Sequence, residues 1–335
     1  MTEMKSFKVN NLLKTLIAGV SALTMCISAM PLSASADEID VNALQEEFNE
    51  VQSSNPDYME YTYYDLENGT ASNLAIDNNE EDLQEYFNTQ EQFDNFISTC
   101  SIAAGNSNGL HVMTETDNKV GWLTANNGGI AGTGFLIGDD LVLTAAHCLM
   151  NAKTGSLYYD LSTVGFYAGV YGGAELISSK SKIDGVFIPN KFSQNGKGNY
   201  KYDYAVIKLR DSIGKYPSIG YYDIGIPTSA SVGRSVTIKG YGYDEDINPN
   251  YEYPLYSNGV LVSITAEDNN DRIEITCAAT PGMSGGPLID NTNNTVIGIT
   301  SSIAGANVTR CTKIIGSIYR FTMVDFDKAV NMPLE

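Results

Sequence analysis

From about residue 119 onward the chain is cut into short β-rich runs by Gly, Asn, Asp and Pro, and this punctuation limits its fold more than any other feature. Residues 133–137, 141–144, 205–209, 235–241, 272–277 and 295–299 are such runs. Many short strands with turn signals between them predict an all-β sandwich or barrel. A terminal helix is expected over residues 324–330. The 335 residues, 43% of them hydrophobic, leave room for one unit of about 200–250 residues, with a sizeable core and attachments.

Charge divides the chain. Residues 37–118 hold 19 Asp and Glu and no Lys or Arg, whereas residues 119–335 hold 20 acidic and 17 basic residues. The formal net charge of −20 therefore belongs mostly to the first stretch, and it argues against nucleic acid as a partner. Within that stretch, residues 41–51 and 81–96 space Leu, Phe and Tyr roughly as helices would. The run 104–109, with Gly and Asn, reads as a linker. This places an acidic segment at 37–105 and the folded domain at 106–335.

Ahead of both, Lys5, Lys8 and Lys14 precede an apolar stretch over 16–32, and Ala34-Ser35-Ala36 offers a small-residue cleavage site before Asp37. The stretch contains Ser, Thr, Gly and Pro and is short for a membrane span. Residues 1–36 are accordingly expected to be a signal peptide, and the protein to be secreted without a stable membrane anchor. Cys26 would leave with the signal. Cys100, Cys148, Cys277 and Cys311 remain, in a compartment where disulfides persist, and four cysteines allow three connectivities.

Three strings carry chemistry. Only two histidines exist, His111 and His147, and His147 ends the run Leu141-Val142-Leu143-Thr144-Ala145-Ala146-His147-Cys148. There an apolar strand breaks into small residues and presents an imidazole. Downstream, Thr280-Pro281-Gly282-Met283-Ser284-Gly285-Gly286-Pro287 places a serine among glycines. A serine hydroxyl attacks only when an adjacent base takes its proton, and the oxyanion then formed needs backbone N–H donors about 3 Å away. Gly282 can adopt backbone angles that would let its N–H and that of Ser284 share one hole. Between the two strings, Asp203 opens the apolar strand Ala205–Leu209, where a carboxylate can fix an imidazole tautomer and stabilise its cation. Asp184 and Asp211 are competitors better explained as surface-turn residues.

In this order, G-T-G-F-L-I-G (132–138), T-A-A-H-C, D-Y-A-V-I-K-L, G-M-S-G-G-P and V-I-G-I (296–299) resemble the chymotrypsin-fold serine endopeptidases, closest to the bacterial glutamyl endopeptidase group. The resemblance covers about 119–335. It implies two antiparallel β-barrels with a triad of His147, Asp203 and Ser284 at their interface, and an oxyanion hole at Gly282 and Ser284. It also implies a monomeric proenzyme acting on protein or peptide substrates without metal or cofactor, with residues 37–105 as its acidic propeptide. The family often staples the region around its specificity pocket, so a Cys277–Cys311 disulfide is implied. Two departures stand out. Compared with the animal digestive proteases, Met283 occupies the place of an activating Asp, and the stretch Ala131-Gly132-Thr133 lacks the cysteine that would pair with Cys148, leaving Cys148 either free and buried or joined to Cys100. The pocket positions fall on Ala278, Ala279, Thr300, Ser301 and Ser317, all small and uncharged, which predicts preference for an uncharged, apolar residue before the cut bond.

Other readings fit less well. Gly282-x-Ser284-x-Gly286 suits an α/β-hydrolase elbow, but that fold needs a His after the Ser, and none follows. Two histidines without H-E-x-x-H spacing make no usual zinc site. Asp244-Glu245-Asp246 with Asn248 and Asn250 hints at a calcium loop, yet Pro249 and Leu255 stand where Gly and Glu belong, so a polar surface loop is expected. A protease-shaped binding protein without activity is the reading from another class; such proteins normally lose a triad residue.

Overall fold

The computed structural model describes residues 58–77, 109–125, 129–175, 180–193, 199–265, 272–305 and 308–322. Its strands are β1 (Tyr58–Asp65), β2 (Thr70–Asp77), β3 (His111–Val112), β4 (Val120–Ala125), β5 (Gly129–Leu136), β6 (Leu141–Thr144), β7 (Gly165–Ala168), β8 (Val170–Tyr171), β9 (Ala174–Glu175), β10 (Lys180–Pro189), β11 (Ala205–Leu209), β12 (Ser235–Gly240), β13 (Leu255–Thr265), β14 (Arg272–Ile275), β15 (Pro287–Asp290), β16 (Thr295–Gly305) and β17 (Val308–Lys313). The α-helical pieces are α1 (Asn190–Ser193) and α2 (Gly316–Phe321). The terminal helix expected over 324–330 lies outside the described residues, just beyond α2.

Strands β11-β6-β5-β4-β7-β10 form an antiparallel sheet that closes on itself where β10 also pairs with β11. Strands β12-β15-β16-β17-β14-β13 form a second, closed by β12 and β13. The result is two six-stranded antiparallel barrels, as the strand punctuation and the motif order predict. Closure removes free edges, which is how all-β domains avoid pairing with other chains. Each barrel fills its interior by strand alternation. In β14 the buried Ile273 and Ile275 alternate with the half-exposed Arg272 and Glu274. Strand β6 is buried at all four positions, Leu141 to Thr144, since it runs through the first barrel toward the interface.

Polar ties join the barrels. Trp122 Nε1 donates to the carbonyl of Tyr251 at 3.0 Å, Tyr241 Oη to that of Val170 at 2.9 Å, and Lys239 Nζ meets Asp117 Oδ2 at 2.5 Å. A further hairpin, β1–β2, belongs to the stretch expected to be a propeptide. It pairs through β1 with β10 and so extends the first barrel's sheet.

Candidate active site

His147, Asp203 and Ser284 come from three separate connections. The buried strand β6 ends at Thr144, and a single 3₁₀ turn, Ala146–Cys148, carries His147 to a position where its side chain is 28% exposed. Asp203 follows another 3₁₀ turn, Tyr200–Tyr202, capped by the Asn199 side chain, and leads into β11. Ser284 sits in the loop before β15. Its carbonyl accepts from the Thr133 N–H at 2.8 Å and from the Cys148 thiol at 3.6 Å, which brings the Ser284 backbone against the turn that carries His147.

Asp203 is fully buried. Its Oδ2 lies 2.7 Å from His147 Nδ1, and its Oδ1 accepts from the His147 backbone N–H at 2.9 Å. The Ser301 hydroxyl donates to Oδ2 at 2.5 Å. From the second barrel, the Thr312 hydroxyl donates toward the Asp203 carbonyl at 3.2 Å. Burial disfavours the carboxylate, but the neighbouring imidazole and the donors from His147 and Ser301 more than offset it, holding Asp203 below the usual carboxylate range. Burial likewise disfavours imidazolium, yet the Asp203 charge and hydrogen bond win and raise His147 above its ordinary value. The pair is therefore built to accept a proton on His147.

The loop around Ser284 is held open by hydrogen bonds that turn its peptides. The Pro281 carbonyl accepts from the Tyr243 N–H at 2.8 Å, and the Met283 carbonyl from the Gly286 N–H at 3.0 Å. In a trans peptide the N–H points opposite to the C=O. The N–H groups of Gly282 and Ser284 therefore face away from these partners, and no acceptor takes them among the described residues. Gly282 has φ +99, and a Cβ there would stand 2.5 Å from the Tyr241 carbonyl. Gly285 has φ +87, and a Cβ would stand 2.1 Å from the Thr133 carbonyl. Only glycine suits either place.

Thr133, which sequence reasoning quoted only as part of a string, is a hub of this loop. Its hydroxyl donates to the Gly282 carbonyl at 2.8 Å and accepts from the Tyr241 N–H at 2.9 Å. Its position just after Gly132, in the strand beside the His147 strand, was the available signal.

The pocket positions do not all converge. Ala278 and Ala279 are half-buried ahead of Ser284, and Thr300 is buried in β16, where its N–H donates to the Gly286 carbonyl at 2.8 Å. Ser301 directs its hydroxyl to Asp203, so it belongs to the hydrogen-bond network of His147 and Asp203 rather than standing as a free pocket donor. Ser317 is fully buried in α2 and accepts from the Tyr61 hydroxyl at 2.8 Å, in the core of the first barrel and its hairpin. Its place in the pocket is thus corrected.

The Cys277–Cys311 disulfide also requires correction: both thiols are free and buried, as is Cys148. Strand register explains it. Cys311 stands opposite Ile273, whereas Cys277 lies beyond the end of β14, where its carbonyl accepts from the Thr309 hydroxyl at 2.8 Å. Cys277 comes four residues after Ile273, the residue opposite Cys311, so the two cysteines are not cross-strand neighbours, which a disulfide needs. At the Gly132 position a Cβ would stand 2.6 Å from Cys148 Sγ, so Gly132 leaves the room that this thiol fills. Cys100 lies outside the described residues. In the loop over 244–250, the Asn248 amide donates to the carbonyls of Gly242 and Tyr253, both at 2.8 Å, which makes it a structural strut.

Residues 132–299 match the family of trypsin-like peptidase domains. Among curated proteins, the glutamyl endopeptidase of Bacillus licheniformis is 28% identical over 162 residues, 48% of this chain and 46% of that protein, so the chain spans less than half of that relative's length. Among solved structures, a Glu endopeptidase in complex with MPD is similar at 22% identity and a TM-score of 0.55, covering 68% of this chain and all of that one. The human heparin binding protein is similar at 14% identity and a TM-score of 0.52, over 67% of this chain and 97% of its own. At these identities the two structures speak for the shared fold alone.

Proposed function

This chain belongs to the trypsin-like peptidase family, and on that premise we propose that it is a secreted serine endopeptidase made as a proenzyme, with His147, Asp203 and Ser284 as its triad. The observation that carries this reading is the double hydrogen bond from His147 to a buried, ionised Asp203. It fixes the imidazole with Nδ1–H toward the carboxylate and leaves Nε2 as the base.

In the proposed reaction, His147 Nε2 takes the Ser284 hydroxyl proton as Oγ attacks the scissile carbonyl. The oxyanion lies between the N–H groups of Gly282 and Ser284. The imidazolium, stabilised by Asp203, gives its proton to the leaving amine, and an acyl-enzyme forms at Ser284. Water then attacks the acyl carbon as His147 takes its proton, and the acid product departs as His147 returns that proton to Ser284 Oγ. Export through residues 1–36 and a cut between about 97 and 118 complete the proposal. They are supported by the basic, apolar and small-residue order of the leader and by the absence of Lys and Arg over 37–118.

Labelling with a fluorophosphonate, together with hydrolysis of a fluorogenic casein, tests the activity. The secreted enzyme should label and cleave, and Ser284→Ala should do neither. Secreted wild-type protein that neither labels nor cleaves would refute the reading.

A further inference from the structure

We infer that the β1–β2 hairpin is a resident strand pair of the catalytic domain, retained on the barrel after the chain between it and His111 is cut, so that the active enzyme consists of two chains. The cut rests on the precursor reading above; the docking does not.

The barrel is built to receive this hairpin. On one edge of β10, strand β7 pairs only with residues Lys180 to Lys182. Further along the same strand, Gly185 to Pro189 pair with Asp65 to Tyr61 of β1. Without β1 that stretch would be an open sheet edge. The Leu66 N–H also donates to the Asp184 carbonyl at 2.9 Å, and the Thr62 hydroxyl to Asn190 Oδ1 at 2.7 Å.

The side chains show the same fit. Gly185 faces the Tyr63 ring so closely that a Cβ would stand 2.3 Å from Cε2. Tyr63 stacks on Phe187, with centroids 4.4 Å apart and planes at 20°. Tyr61 is fully buried, edge-on to Phe321 at 5.1 Å, and its hydroxyl links Tyr204 Oη at 2.6 Å with Ser317 Oγ at 2.8 Å. If the hairpin left, the Tyr204 and Ser317 hydroxyls would both lose the Tyr61 hydroxyl that links them. A segment shed on activation leaves behind a surface that tolerates water, whereas this one would bare the Phe321 and Phe187 rings against which Tyr61 and Tyr63 pack. Among the described residues, the hairpin's hydrogen bonds and ring contacts reach β10, α1, α2 and Tyr204, and none reaches His147 or Ser284. It fills a wall and leaves the site uncovered.

The full chain is secreted, the fluorophosphonate-reactive species is isolated by native gel filtration, and its peptides are identified after denaturation. Peptides from 58–77 should co-elute in equimolar amount with those containing Ser284. A separate chain supports both docking and the cut; a continuous chain supports docking and overturns the cut. A fully active, equally heat-stable species lacking 58–77 overturns the inference. In the full chain, Gly185→Ala should weaken retention roughly tenfold or more by overpacking against the Tyr63 ring. Adding Tyr63→Ala should restore Gly185→Ala to the retention shown by Tyr63→Ala alone. Unchanged retention in Gly185→Ala overturns the inference. Should that variant fail to accumulate, the double variant still decides: it must accumulate and label, and if it does not, the clash with Tyr63 was not the cause and the inference falls.

Discussion

Asp203 holds His147 at two points, the ring through Nδ1 at 2.7 Å and the backbone N–H at 2.9 Å. One carboxylate therefore fixes both the tautomer of the base and the position of the 3₁₀ turn that carries it. The Ser301 hydroxyl, at 2.5 Å, completes the shell around the buried charge.

Asp203→Asn should lower kcat by about 10⁴, because an amide at this place favours the wrong tautomer. Asp184, one of the sequence-level competitors, pairs instead with Arg210 at 2.7 Å on the surface. Asp184→Asn should leave kcat close to wild type, as exposed pairs contribute little. Steady-state kinetics on both variants separates the roles, and comparable losses would contradict the assignment.

The pH profile follows from the raised His147. The base must be neutral to act, so kcat/KM should rise with pH through a midpoint above the ordinary imidazole value of about 6.5. For stability the sign is opposite. A raised folded-state value means that protonated His147 stabilises below about 6.5, and that this contribution fades as pH climbs through the folded value. The depressed Asp203 contributes above the ordinary carboxylate range and loses that contribution as the solution is acidified. An activity midpoint at or below 6.5 would be inconsistent with the pair as described.

Ser301 and Ser317 should part company on substitution. Ser301→Ala removes a donor to a buried carboxylate, and kcat/KM should fall by roughly 10- to 100-fold with little change in residue preference. Ser317→Ala leaves the Tyr61 hydroxyl with Tyr204 as its partner, and the expected effect is a loss of about 1 kcal/mol in stability with kcat/KM unchanged. Thermal melts beside kinetics on the two variants check this.

Much of this was legible from local strings because the chemistry is local. The β6 run, its break into Ala145-Ala146 and the glycines around Ser284 each encode a backbone shape that their residues dictate. What escaped was non-local. The partner of β10 lies in an acidic stretch more than 100 residues upstream, and its Tyr61 and Tyr63 read as ordinary scattered aromatics until Gly185 and Ser317 are set beside them. The cysteine pairing failed for a related reason: spacing around Ser284 says nothing of register, and register puts Ile273 opposite Cys311.

The three buried thiols should be inert. Burial pushes Cys148 and Cys277 up to about 12 and Cys311 higher still, so little thiolate exists at neutral pH. Iodoacetamide should modify them only after denaturation, and a reductant should not lower Tm through a Cys277–Cys311 bond. Intact-mass measurement before and after alkylation reads the outcome, and a Cys277–Cys311 cross-linked peptide would contradict it.

Residue preference is the last expectation. Ala278 and Ala279, the positions expected at the pocket, are half-buried and carry only methyl groups, and the Ser301 hydroxyl is engaged with Asp203. Thr300 adds a buried hydroxyl beside the Cys311 thiol, without a charge. The nearby acid, Glu274, alternates with buried Ile273 and Ile275, and so projects from the outside of the barrel, where it meets Arg310 at 2.9 Å. That pair neutralises itself away from the interior, so neither member is placed to meet a substrate side chain inside the pocket. A substrate carboxylate or ammonium entering this pocket would lose its water without gaining a counter-charge, which is costly. The apolar side chain of a neutral residue loses nothing comparable and gains by burial. Digestion of a diverse peptide library, with cut sites read by mass spectrometry, should therefore show cuts after uncharged, mainly apolar residues, and Ala279→Ser should change this little because one hydroxyl does not balance a charge. Cuts concentrated after Glu, or after Arg and Lys, would mean that the pocket holds a counter-charge outside the residues named.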